Sequence, residues 1–187
     1  MSALYRDNTE NTEETVTKNT GEPMRKHIIA GILLVATLAL DLFTKYLVVS
    51  NVALHERINL FGSFVQITLI YNRGGLFGIL QGYQTYFLII SIVVLALLVL
   101  FYVLEKEKQP LFCYSMALIV SGALGNIFDR ISGRPGVVDF VYIGNDNVFR
   151  WPAFNVADSV IVIGAVILLI EFIRQEKKRR VTENENQ

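Results

Sequence analysis

The sequence predicts an all-α membrane protein: four transmembrane helices carrying a small extracytoplasmic β-sheet. Three observations carry this expectation. Apolar residues make up 52% of the 187-residue chain, and the mean hydropathy is +0.43. The 18% of charged residues are unevenly spread, gathering in the first 26 residues, in the "EKEK" run at Glu105, and after Ile173. Between these clusters lie apolar stretches of bilayer length, the pattern of spans joined by short charged loops.

In chain order, residues 1–24 are rich in Asn, Thr and Glu and lack apolar periodicity, so they read as a disordered cytoplasmic tail. "MRKH" then leads into a run at about 28–49 that is too long for a signal peptide core and shows no small-residue cleavage site. It reads as the first span. The others fall at about 83–104, 111–128 and 154–173, each near the roughly 20 residues that cross the hydrocarbon. Residues 25–176 thus form the membrane domain, and 177–187, opening with "KKRR", form a basic cytoplasmic tail. With the N-terminus inside, Arg25, Lys26, Lys106, Lys108, Arg174 and Lys177–Arg180 lie on the inner side, against five arginines outside. Both termini are therefore expected in the cytoplasm.

Two segments remain on the outer side. "FVQITLIYN" alternates with period two, placing Val65, Ile67, Leu69 and Tyr71 on one face of a strand. "VDFVYI", the turn-like "GNDN" and "VFRW" read as a hairpin. A net charge of zero supplies no basic footprint for nucleic acid. The single cysteine, Cys113, sits in an apolar run and reads as a buried, inert thiol.

The polar groups within the spans carry the chemistry. At 1.5 Å per residue from His27, Asp41 lies roughly 21 Å and Lys45 about 27 Å along the first helix, in its outer half. Their i, i+4 spacing allows an ion pair. Asn126, Asp129 and Arg130 end the third span outward, and Asn155 and Asp158 begin the fourth. Four helices alternate in direction, yet every one of these groups falls in one leaflet, where charge is costly and marks a site or a partnered cluster. Asp41 with Lys45 equally fits a structural ion pair, Asp129 beside Arg130 fits a held-ionised structural acid, and Asn126 and Asn155 fit helix caps or bridges. Ala117, Ser121 and Gly125, spaced by four, suit close helix packing.

Asp139 and Asp158 resist such readings, because neither has a basic neighbour and both sit among apolar residues. If Asp139 folds back over the fourth helix, the two carboxylates would share a proton, one serving as base on a water and the other as acid. His27 and His55, the only histidines, lie on opposite sides, which disfavours a histidine triad or a zinc site. "NRGGLFG" lacks the Lys-Ser/Thr of a phosphate loop, and its glycines suit a turn that brings backbone close to a ligand.

"DLFTK" at Asp41–Lys45, "NRGGLFG" at Asn72–Gly78, "SGALGNIFDR" at Ser121–Arg130, "VVDF" at Val137–Phe140 and "FNVADS" at Phe154–Ser159 follow one another in order. Together they resemble the bacterial lipoprotein signal peptidases (signal peptidase II) over roughly residues 28–173. The resemblance implies a four-helix membrane aspartyl peptidase that removes the signal peptide of prolipoproteins before a diacylglyceryl cysteine. It implies Asp139 and Asp158 as the catalytic pair, with Asp41, Lys45, Asn72, Gly74, Asn126, Asp129, Arg130 and Asn155 binding substrate or supporting the pair. It further implies the inner membrane as location, an active site at the outer face, contact with membrane lipid, a flap formed by "NRGGLFG" and the sheet, no cofactor or metal, no nucleic-acid partner, and a monomer. Gly75 and Leu76 stand where the family commonly has two small residues, and the polar N-terminal segment is longer than usual. Two rival classes are a transporter and a non-enzymatic assembly factor. The first should carry polar groups through both leaflets, and the second span has none. The second predicts that Asp139→Asn and Asp158→Asn leave function intact.

Overall fold

The computed structural model of the chain describes residues 2–74 and 83–185, with side chains from Met24 onward. Four helices and four strands follow one another along the described residues: α1 (Ser2–Asn51), β1 (Arg57–Phe61), β2 (Val65–Asn72), α2 (Gln84–Leu104), α3 (Pro110–Ile131), β3 (Val137–Asn145), β4 (Phe149–Arg150) and α4 (Val156–Glu185). The windows long and apolar enough to cross a bilayer are Met24–Asn51 of α1, the whole of α2 and α3, and α4. The chain is thus a multi-pass membrane protein. The helical backbone of α1 also runs through the polar segment back to Ser2.

α3 is the hub, packing against α1, α2 and α4. It opens with Pro110 at a position where a missing N–H costs nothing, and ends as Gly133 turns to φ +78° just beyond Ser132. Twelve of its residues are buried, from Phe112 to Asp129. Its small residues explain the closeness. A Cβ at Gly122 would overlap the Ala157 carbonyl oxygen and Ile161 of α4, and one at Gly125 would overlap the Asp41 carboxylate of α1. Gly164 of α4 returns the contact, with the Ser115 oxygen and Ile119 both 2.8 Å from where its Cβ would be. Ala117 packs with Ala30 and Cys113, and Ser121 accepts a 2.7 Å hydrogen bond from Thr37, so the expected small-residue stripe is the α1 side of α3. Cys113 is buried as anticipated. α2 differs: none of its side chains is buried within the protein.

The strands form one antiparallel sheet in the order β1-β2-β3-β4. The hairpin of β3 and β4 is the one expected; β1 ("RINLF") is an addition, its polar–apolar alternation spanning only four residues. The period-two face anticipated for β2 does not persist. Ile67 lies opposite Val141 and Ile70 opposite Asp139, so two residues, Thr68 and Leu69, face the single Phe140. This bulge puts Ile67 and Ile70 on one side of the sheet. Leu69 turns into a cluster with Val138 and Phe140, closed from below by Val48 of α1 and by Val52 just beyond its end. The sheet is thereby fixed to the end of the bundle that carries the polar residues.

Candidate active site

The bulge also determines who stands beside Asp139. With Asp139 opposite Ile70, Asn72 is its diagonal neighbour on the same face. Asn72 Nδ2 donates to Asp139 Oδ2 at 3.0 Å, and the Gly74 N–H donates 3.1 Å back to Asn72 Oδ1, fixing the amide's orientation. Residues 75–82, which hold most of the expected flap, lie outside the described residues.

The fold-back that the sequence left open is made by backbone. Phe140 and Val141 N–H groups both donate to the Phe154 carbonyl, at 3.0 and 2.8 Å, and the Phe154 N–H donates 3.1 Å to the Val141 carbonyl. The next residue, Asn155, caps α4. Its Oδ1 accepts the Asp158 N–H at 2.9 Å while Asp158 Oδ2 accepts the Asn155 N–H at 3.3 Å, a reciprocal capping box. Asp158 consequently sits in the first turn, at the positive end of the helix dipole. The buried Asn155 Nδ2 meanwhile donates to Asp139 Oδ1 at 2.7 Å and lies 3.2 Å from the Val138 carbonyl. One amide thus touches the carboxylate of β3 and aligns the carboxylate of α4.

Asn126 of α3 completes the frame. Its Nδ2 donates to Asp158 Oδ1 at 2.8 Å, and its Oδ1 accepts from Lys45 Nζ at 3.0 Å and Asn155 Nδ2 at 3.1 Å. Because an ammonium only donates, this amide has a single workable orientation. Beneath it Lys45, fully buried, bridges Asp41 and Asp129 at 2.8 Å each. Asp41 also accepts the Ala157 N–H at 2.8 Å, and Asp129 accepts the Val138 N–H at 3.1 Å and pairs with Arg134. Asp41, Asp129, Lys45 and Arg134 sum to zero charge, which permits their burial. Asp129 therefore does not rely on its neighbour Arg130, since residues i and i+1 of a helix point apart. Arg130 instead hydrogen-bonds the Asn126 carbonyl at 3.0 Å and lines the cleft with the two aspartates.

That cleft, of about 780 Å³, is bounded by Asn72, Arg130, Asp139 and Asp158 at its polar end and by Phe87, Trp151, Phe154 and Ile161–Ile163 along its apolar walls. All ten residues singled out from the sequence belong to this one connected arrangement. Arg134 and the backbone donors of Val138 and Ala157 were not anticipated; a lone Arg in a loop carries no such signal. Burial first, then the nearby Asp158, pushes the Asp139 carboxyl up to about 7, against the downward pull of Asn72, Lys45 and Asn155. Among the described residues no group of His, Cys, Asp and Glu is arranged to hold a metal ion.

Fold and site together define a multi-pass membrane protein with a paired-carboxylate cleft at one end of its helix bundle. Residues 33–174 match the family described as signal peptidase (SPase) II. The chain is 39% identical to the lipoprotein signal peptidase of Halalkalibacterium halodurans over 159 residues, 84% of this chain and 99% of that one. It is likewise 39% identical to the lipoprotein signal peptidase of Syntrophus aciditrophicus over 160 residues, 81% and 94% of the two chains. Among solved structures, a bacterial membrane enzyme at 2.3 Å resolution superposes with a TM-score of 0.72 and 30% identity, covering 80% of this chain and 90% of its own. A second, at 1.9 Å resolution, gives 0.68 and 31%, covering 77% and 92%. The chain belongs to the signal peptidase II family, and is a peptidase of lipoprotein processing.

Proposed function

We propose that the chain is an aspartyl endopeptidase that cleaves diacylglyceryl-modified prolipoproteins immediately before the lipidated cysteine, using a water activated by Asp139 and Asp158. The observation that supports this most directly is that β3 and α4 each deliver one carboxylate to the same cleft, bridged by Asn155. With one proton shared between them the pair carries a single negative charge, matched by Arg130 in the same cleft. That charge state is favoured near neutrality by the value of about 7 for Asp139.

In the reaction the ionised carboxylate takes a proton from water as its oxygen attacks the scissile carbonyl, and the protonated one donates to the carbonyl oxygen. The tetrahedral diol then collapses. The C–N bond breaks, the cysteine nitrogen takes up a proton, and the signal peptide leaves with a new carboxyl terminus. The apolar walls at Phe87 and Ile161–Ile163 suit acyl chains and the signal helix, while Asn72 and Arg130 are placed to orient substrate backbone. The lysines and arginines near the span ends favour cytoplasmic termini, hence a cleft at the outer face of the cytoplasmic membrane. The enzyme acts as a monomer without metal or cofactor.

The test is cleavage of a diacylglyceryl-modified prolipoprotein by purified wild type, Asp139→Asn and Asp158→Asn in detergent. Both variants should lose cleavage without losing thermal stability. If either keeps most of the wild-type rate, the dyad is not the catalytic device.

A further inference from the structure

The end of the bundle remote from the dyad holds a second cavity, of about 270 Å³, between α1, α2 and α3. Small side chains make the space: Ala30 and Gly31 on α1, Cys113 and Ala117 on α3. Its long wall is apolar, and a Cβ at Gly31 would meet no heavy atom within 4 Å. The mouth is polar. His27 Nδ1 and the Tyr102 hydroxyl lie 2.8 Å apart there. Lys108 Nζ stands 5.4 Å from the centre of the Tyr102 ring and donates to the Glu105 carbonyl; Lys26 Nζ donates to the Lys108 carbonyl. Among the described residues, Lys26 and Lys108 form no ion pair with a carboxylate, although Glu105 is close in sequence; Glu105 Oε1 instead accepts the Glu107 N–H at 3.0 Å.

An apolar cavity between membrane-spanning helices, with one ammonium over the Tyr102 ring at its mouth and a second beside it, neither paired with a carboxylate among the described residues, is complementary to one kind of molecule. We propose that it is a specific site for an anionic phospholipid, one acyl chain entering beside Gly31 and the headgroup phosphate resting on Lys26 and Lys108. A soluble anion would engage the rim and leave the apolar wall exposed, whereas a neutral lipid would fill the wall and leave the lysines unmatched. Basic recesses between spans are a recurring form of headgroup recognition. The site shares no residue with the dyad, so it stands or falls separately from the proposed reaction.

The test measures thermal unfolding of the full chain in detergent while phosphatidylglycerol or phosphatidylcholine with the same acyl chains is titrated in. The wild type should show a saturable stabilisation that needs on the order of tenfold less phosphatidylglycerol than phosphatidylcholine, two lysines near a phosphate supplying the difference. Lys26→Ala with Lys108→Ala should erase the difference between the two lipids. Gly31→Leu, which adds bulk to the cavity wall at a position where a Cβ meets no heavy atom within 4 Å, should abolish the saturable response while peptide cleavage is retained. Native mass spectrometry of the wild type should retain one phosphatidylglycerol. Equal responses to both lipids in the wild type, a Gly31→Leu response matching wild type, or progressive unsaturable lipid uptake would each overturn the proposal.

Discussion

Replacing Asn155 separates two roles held by one side chain. Asn155→Ala removes the cap of α4, worth about 1 kcal/mol, and the donor to Asp139 Oδ1 at 2.7 Å, a bond to a charged group worth roughly 1.5–3 kcal/mol. The combined loss of about 3 kcal/mol corresponds to on the order of 100-fold in rate if it is felt in the transition state. Asn155→Ser isolates the second role, because a serine still caps a helix but cannot reach across as the amide does. It should unfold close to wild type and yet cleave far more slowly. The pH profile adds a signed expectation. Asn155 lowers the Asp139 value, so its loss raises it, and the alkaline limb of cleavage should move above its wild-type position near pH 7. The same displacement governs stability. Between the ordinary 3.8 and about 7 the folded protein holds a proton that the unfolded chain has released, so wild-type stability falls as pH rises through that window and levels off beyond it. The assay is cleavage of a lipopeptide with a fluorescent reporter, followed on both sides of neutrality. If Asn155→Ser restores both the rate and the wild-type limb, the amide is only a cap; if the limb moves toward acid, Asp139 is not the group that sets it.

Three further outcomes follow from the buried frame and the dyad. Lys45→Met leaves Asp41 and Asp129 facing each other without their shared cation, and should destabilise the fold by about 3–5 kcal/mol, read as a large drop in unfolding temperature in detergent; an unchanged midpoint would mean the ion pairs are dispensable. Gly125→Ala drives a methyl into the Asp41 carboxylate, which is pinned by Lys45 and the Ala157 N–H, and should cost about 1–3 kcal/mol by the same measurement, whereas Gly31→Ala on α1 should cost nothing. Wild-type cleavage should decline as pH rises past about 7, where Asp139 gives up its proton, with no such decline in binding of an uncleavable lipopeptide.

Much of this was legible because hydrocarbon punishes polar groups. The spans were readable from apolar length, and Asp139 and Asp158 stood out because neither has a cation nearby in sequence. What the sequence left open was long-range: that Phe154 bonds to β3 and so carries Asn155 to Asp139, and that Lys45 reaches Asp129 as well as Asp41. Neither follows from periodicity. The β2 bulge was likewise hidden, since Thr68 and Leu69 fit an uninterrupted alternation equally well, and only pairing with Phe140 reveals the extra residue. Asp129 shows the opposite hazard, in that adjacency to Arg130 in sequence drew attention from the cations that pair with it directly, Lys45 and Arg134.

The cleft's walls at Phe87 and Ile161–Ile163 belong to spans, so part of the cleft lies at the depth of the helices and not beyond their ends. For a substrate held in the bilayer, encounter is then a two-dimensional search. The quantity that saturates the enzyme is a mole fraction of prolipoprotein among lipids, and diluting the membrane with inert lipid at fixed bulk concentration should slow turnover as effectively as removing substrate.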